Sequence, residues 1–316
     1  MAAPLPNHPQ LRGNYGPINF EASYDDIVIE GTVPPGLSGS LYRIGPNPKF
    51  VEGTYHWFFG AGMVHAFHVD QGKVGYVNRW VRTPKFEKEI ELGRGLSLDI
   101  NINSETGQIE SNRRNGVANT HILAHGDHLV ALEEGSHPFS MDPQTLVSEG
   151  YGQYADGIKG AMTAHPKIDP ETGELHGFGY MTDHFGSNTM TYHVIDRNGR
   201  MLRSDVFEAP YAAMVHDFMI TRDYVIFPLF PLTCDLDRVA QFGFPFAFDR
   251  SAGAYIGVLK RGAPASSIRW LEAPVCYVFH YLNAWNEGSK VTFDSVDFPV
   301  APNFPNADGS IPAYAD

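Results

Sequence analysis

The sequence predicts an all-β protein, and two observations carry that expectation. Short apolar runs alternate with turns rich in Gly, Asn and Asp almost throughout the chain. No segment shows a sustained 3.6-residue period with a cap at both ends.

The turns can be taken in chain order. Val64–Val69 and Lys73–Val81 flank Asp70-Gln71-Gly72, which reads as a hairpin. Ile122–His125 and Leu129–Leu132 flank Gly126-Asp127. Asp169-Pro-Glu-Thr-Gly173, Asp196-Arg-Asn-Gly199 and Thr221-Arg-Asp223 each sit between two apolar stretches. In each case Gly, Asn or Asp supplies backbone angles that other residues avoid. Gly173, Gly199 and Asp223 mark turns 26 and 24 residues apart. A four-stranded propeller blade contains two hairpins in about 40–50 residues, so this spacing favours a propeller over a β-sandwich. The piece from Phe227 to Phe248, rich in Pro and Phe, reads as a long loop that either lines a site or is a packed excursion. No linker or low-complexity stretch interrupts residues 1–316, which are expected to form a single domain.

Composition narrows the function classes. The 316 residues are 43% hydrophobic and 13% aromatic, enough for a sizeable core. The net charge of −13, with no Lys/Arg cluster, argues against a nucleic-acid partner, which needs concentrated positive charge. Two cysteines, Cys234 and Cys276, give neither a disulfide framework nor a cysteine zinc site. The apolar run Tyr224–Cys234 is broken by Pro228 and Pro231 and is shorter than the ~20 residues of a spanning helix. With no apolar leader at the start, a cytoplasmic protein is expected.

Fourteen histidines are present, and three stand out by context. His165 lies in Met-Thr-Ala-His-Pro-Lys, His216 in Ala-Met-Val-His-Asp-Phe, and His280 in Val-Phe-His-Tyr-Leu-Asn-Ala. They are 51 and 64 residues apart, which are blade-like distances. One histidine per blade on an inner strand would converge on the axis, where neutral imidazoles hold a divalent first-row metal. Spacing alone makes this one choice among many.

Several segments resemble the carotenoid cleavage oxygenases, a family that includes lignostilbene dioxygenases and retinoid isomerohydrolases. They are Leu41-Tyr-Arg-Ile-Gly-Pro-Asn-Pro48, Tyr55-His-Trp-Phe-Phe-Gly-Ala-Gly-Met63, Ala118-Asn-Thr-His121, Met162-Thr-Ala-His-Pro-Lys167, Met214-Val-His-Asp-Phe218 and Phe279-His-Tyr-Leu-Asn-Ala284. The resemblance implies a seven-bladed propeller capped by a loop and helical dome. It implies Fe(II) held by four histidines, three of which map onto His165, His216 and His280. It further implies that Glu134 accepts a hydrogen bond from a ligating imidazole, and that Phe58 and Glu133 face the substrate. The implied reaction is O2-dependent cleavage of a carbon–carbon double bond in a small apolar conjugated substrate. A lipophilic substrate brings with it transient contact of apolar loops with a membrane surface.

Departures from the family pattern are also legible. No histidine follows His280. The resemblance therefore implies an incomplete propeller lacking C-terminal blades, which alone should hold iron poorly. Glu133 stands where lignostilbene-cleaving members carry a lysine that meets the substrate phenol, which favours an apocarotenoid or other polyene over a stilbenoid or phenylpropenoid. A propeller that binds without catalysis is the remaining alternative. Ala61 and Phe59 replace family aspartates, and Asn286 replaces a common Glu.

Overall fold

A computed structural model describes residues 5–51, 55–96, 100–102, 109–242 and 245–312. The chain forms two compact units. The first comprises Met1–Asp99, Asn112–Asp156 and Arg197–Arg200; the second comprises Ile100–Ser111, Gly157–Asp196 and Met201–Asp316. The architecture is all-β, built mainly from four-stranded antiparallel sheets.

In the first unit, β1 (Ala22–Tyr24), β2 (Gly39–Pro46), β3 (Gly62–Asp70) and β4 (Lys73–Trp80) form a sheet in the order β1-β4-β3-β2. The expected hairpin closes on Asp70 opposite Lys73, with Gln71 (φ 47°) and Gly72 (φ 79°) between them. Positive φ at both turn residues matches the right-handed twist of the flanking strands. A short pair follows in the second unit, β5 (Ile100–Ile102) with β6 (Ile109–Ser111). The first unit then resumes with β7 (His121–His125), β8 (His128–Leu132), β9 (Phe139–Met141) and β10 (Ser148–Tyr151), an up-and-down meander. Its core buries Val64, Ala66, Leu129, Ala131, Phe139 and Met141, alternate positions of strands with one face turned inward.

The rest of the second unit holds β11 (Lys167–Ile168), β12 (Leu175–Tyr180), β13 (Thr189–Ile195) and β14 (Met201–Glu208), again a sequential meander. The next sheet pairs β15 (Met219–Ile220), β16 (Tyr224–Leu229), β19 (Ala254–Lys260) and β20 (Arg269–Ala273). Between β16 and β19 the chain makes a separate hairpin, β17 (Leu232–Cys234) with β18 (Phe246–Phe248). A final hairpin joins β21 (Tyr281–Glu287) to β22 (Lys290–Ser295). The turns at 169–173, 196–199 and 221–223 all connect adjacent antiparallel strands, as the sequence predicts. Phe178, Phe218, Phe227 and Tyr192 fill this unit's core with stacked and edge-on rings.

Two sequence expectations need correction. The first is the absence of capped helices. Pro84–Leu92 forms α1, with the Thr83 hydroxyl accepting from the Phe86 amide (3.3 Å), Pro84 in the first turn and Gly93 left-handed (φ 66°) at the end. Its buried face is Lys85, Phe86 and Glu89, with Lys85 ion-paired to Glu89. Two of the three buried positions are charged residues, which hides the apolar period. The second concerns Phe227–Phe248. Its described residues form the end of β16, the strands β17 and β18 and a short helix, α2 (Asp237–Phe242), and not a long loop.

Among the described residues, no helix is long and apolar enough to cross a membrane.

Candidate metal centre

Each of the three singled-out histidines lies on the segment that leads into the first strand of a sheet in the second unit. His165 precedes β11, His216 precedes β15 and His280 precedes β21. Local packing fixes each segment.

The segment carrying His165 lies against β12. The Thr163 amide donates to the Phe178 carbonyl (2.6 Å), and the Ala161 carbonyl accepts from buried His193 Nε2 (3.1 Å). The approach is close enough that a Cβ on Gly179 would stand 2.4 Å from the Ala161 carbonyl oxygen, so only glycine fits there. The Thr163 hydroxyl then accepts from the His165 amide (3.0 Å).

The segment leading to His216 is paired to β17. The Met214 amide donates to the Leu232 carbonyl (3.0 Å), and the Cys234 amide donates to the Ala212 carbonyl (2.9 Å). The inserted hairpin thus braces a histidine-bearing segment. Before His280, Tyr277 and Phe298 exchange both backbone hydrogen bonds (2.8 Å each).

The outcome is one cluster. His165 Nε2 lies 3.0 Å from His216 Nε2, and His216 Nε2 lies 3.2 Å from His280 Nε2. The three donor atoms all fall within 4.8 Å of one another. Ring centroids are 4.6–4.9 Å apart with interplanar angles of 68–86°. Stacked imidazoles would be near parallel. Here the rings are steeply crossed and their Nε2 atoms meet.

This donor set fits a transition metal. A metal–imidazole bond of about 2.1 Å places two nitrogens at right angles about 3.0 Å apart, and at the tetrahedral angle about 3.4 Å apart. The observed separations match that range. Each neutral imidazole with its proton on Nδ1 presents one in-plane Nε2 lone pair, so three converging Nε2 atoms are three donors for one cation. Among the described residues no Cys, Asp or Glu joins this cluster. Neutral imidazole donors without thiolate suit Fe, Zn, Cu or Ni over Ca or Mg.

Neighbouring groups complete the site. The Phe279 ring stands edge-on to His216 at 5.9 Å. Burial, and then the Asp217 carboxylate, hold the Tyr281 phenol well above its usual range, so it stays protonated. Six residues beyond His280, toward the far end of β21 and away from this cluster, Asn286 donates to Asp223 Oδ2 (2.6 Å) and accepts from the Asp223 amide (3.2 Å). A glutamate there, as the resemblance expects, would set two carboxylates against each other.

The remaining sequence candidates belong to the first unit. Phe58 sits in a 3-10 turn, Trp57–Phe59, capped by His56 Nδ1. Phe58 is 59% exposed, so it is not a core residue. Glu133 and Glu134 follow β8. Glu133 accepts from the Ser136 hydroxyl, and its oxygen lies so close to Gly116 that a Cβ there would overlap it. Burial pushes the Glu133 carboxyl up, against the pull of Ser136 and the Val117 backbone. A residue the sequence reading passed over is Asp217, next to His216 and 4% exposed, whose carboxylate meets Lys167 and the Tyr281 amide.

Comparison with known proteins agrees with this picture. The profile of the family described as retinal pigment epithelial membrane protein matches residues 15–313. Isoeugenol monooxygenase of Pseudomonas putida is 37% identical over 305 residues, covering 95% of this chain and 64% of the relative. Carotenoid cleavage oxygenase 1 of Neurospora crassa is 36% identical over 294 residues, covering 90% and 55%. The crystal structure of Pseudomonas brassicacearum lignostilbene dioxygenase superposes with a TM-score of 0.85 at 36% identity, covering 99% of this chain and 66% of that one. The chain thus spans about 64% of the length of the first of these relatives. A match over nearly all of its described strands, together with motifs in family order, places this chain in the retinal pigment epithelial membrane protein family, to which the carotenoid and lignostilbene oxygenases belong.

Proposed function

We propose that the protein is an Fe(II)-dependent dioxygenase that cleaves a carbon–carbon double bond of an apocarotenoid or related conjugated alkene to two carbonyl products. The observation that carries this reading is the trio of imidazole nitrogens, with His216 Nε2 3.0 Å from His165 Nε2 and 3.2 Å from His280 Nε2, and no carboxylate joining them among the described residues.

His165, His216 and His280 would hold the iron through Nε2, with Glu134 as hydrogen-bond acceptor for a ligating ring. Ligation at Nε2 leaves each Nδ1–H as a donor, and an acceptor there fixes tautomer and ring orientation. The resemblance implies four histidines around the iron, of which these three match this sequence, and the described strands are read as part of one propeller-type domain. When bound, the iron supplies O2 binding and activation, which no side chain here can provide. The chain's own work is to present neutral donors, so that the cation's charge is not cancelled, and to offer apolar surface. Phe279 lies beside His216, and Phe58, an exposed residue, is the ring that the resemblance assigns to the substrate. The balance is one alkene plus O2 giving two carbonyls. No protonic catalyst is needed.

A second reading is favoured by one observation. Similarity to isoeugenol monooxygenase reaches 37%, and to lignostilbene dioxygenase 36% in a well-superposed structure, so a phenylpropenoid or stilbenoid is the alternative substrate class. Glu133 weighs against it, because a carboxyl group has no positive charge to attract a phenolate. Product analysis with the Fe(II)-loaded full-length protein separates the two. Aldehydes or ketones from an apocarotenal support the first reading, aldehydes from isoeugenol or a hydroxystilbene the second, and no cleavage of either defeats both.

A further inference from the structure

The three histidine-bearing segments share one buried carboxylate. Asp217 Oδ1 accepts from Lys167 Nζ (2.7 Å) and from the Phe218 amide (2.8 Å), and Oδ2 accepts from the Tyr281 amide (3.3 Å). Lys167 is two residues after His165, Phe218 is two after His216, and Tyr281 is one after His280. Each donor therefore lies immediately beyond one of the three converging imidazoles. These segments enter three different strands, β11, β15 and β21, which share no backbone ladder with one another. Where backbone pairing ends, the Asp217 side chain ties them together.

We propose that Asp217 is a positioning residue that sets the mutual distance of His165, His216 and His280 by clasping all three segments, and so sets metal affinity. This rests on the reading of the cluster as a metal centre. The chemistry needs a carboxylate. Three donors converge on two acceptor oxygens, one of them a cation, and charge-assisted hydrogen bonds are the strong ones. An asparagine keeps the shape but replaces one oxygen with an NH2 group. That group must then face either Lys167 with the Phe218 amide, or the Tyr281 amide, donor against donor. Lys167 is the adjustable arm. Its ammonium is partly exposed while Asp217 is not, so it closes the clasp from the solvent side.

The clasp acts on the site without touching a ligand or substrate, so turnover alone cannot identify it. The informative experiment is Co(II) titration of the metal-free full-length protein, reading both affinity and the visible absorption of bound Co(II), alongside thermal unfolding of the metal-free form. For Asp217→Asn the expected result is a Co(II) affinity lower by about 10–100-fold, the range seen when partners outside the ligand set are lost. The Co(II) absorption should shift, while the metal-free protein still folds. Asp217→Asn binding within about twofold of wild type with an unchanged spectrum overturns the proposal. If Asp217→Asn does not fold, Lys167→Met decides, because it leaves the two amide bonds in place. Weakened Co(II) binding by a folded Lys167→Met protein supports the clasp, and unchanged binding overturns it. A wild-type protein that takes up no Co(II) would instead remove the metal-centre reading, and this inference with it.

Discussion

At the scale of single residues, the chemistry rests on histidines in opposite roles. His165, His216 and His280 turn their Nε2 atoms toward one another. His176 is the contrast: buried, with Arg261 donating to Nε2 (3.0 Å), so that Nδ1 carries the proton and donates to the Tyr192 hydroxyl (2.6 Å). Burial, and then the Arg261 charge, depress its pKa from 6.5 to about 4. The folded pKa lies below the unfolded one, so between about pH 6.5 and 4 the unfolded chain binds a proton that the folded chain refuses. Stability is unaffected above that window and falls as pH drops through it, by a total of about 3 kcal/mol at 1.36 kcal/mol per pH unit. Denaturant midpoints of wild type and His176→Gln at pH 7 and pH 4.5 check this. The wild type should lose clearly more stability on acidification, and equal losses would remove the assignment. The role of His176 could not be read from sequence. It depends on Arg261, 85 residues away. The three candidate ligands were legible only because the motifs around them resemble a family. Asp217, beside one of them, was not, because its partners come from two other segments.

At the scale of elements, turn chemistry was the most legible feature. Gln71-Gly72, Gly126, Gly173 and Gly199 all take positive φ at strand connections, where the sequence places them. What the sequence hid follows from packing. The α1 pattern was masked because a buried ion pair, Lys85–Glu89, occupies the face where apolar residues were sought. The β17–β18 hairpin was masked by its prolines. Its importance shows only in the bonds it makes to residues 212–214 beside His216. Gly179 is a further element-scale device, since it lets the His165 segment lie against β12. In Gly179→Ala the added methyl meets a backbone carbonyl, which cannot rotate away as a side chain can. The expected cost is about 1–3 kcal/mol, as for overpacking in a filled core. Chemical denaturation should show a lower midpoint and Co(II) titration weaker binding. Wild-type values for both would mean that this close approach does not support the site.

At the scale of the molecule, the motifs that resemble the family and the converging nitrogens single out the same three residues. The match over residues 15–313 identifies the family without reference to any distance. The converging nitrogens identify a metal-type cluster without reference to any relative. All-β architecture was legible from turn spacing, because hairpin chemistry is local. Substrate choice was not, because it depends on pocket shape and on single exchanges such as Glu133. The central claim is that His165, His216 and His280 hold the iron, and iron content measured on purified full-length protein tests it most directly. After anaerobic Fe(II) loading and removal of free metal, the account predicts one iron per wild-type chain and near zero for folded His165→Ala, His216→Ala and His280→Ala variants. Stoichiometric iron in all three folded variants would contradict it.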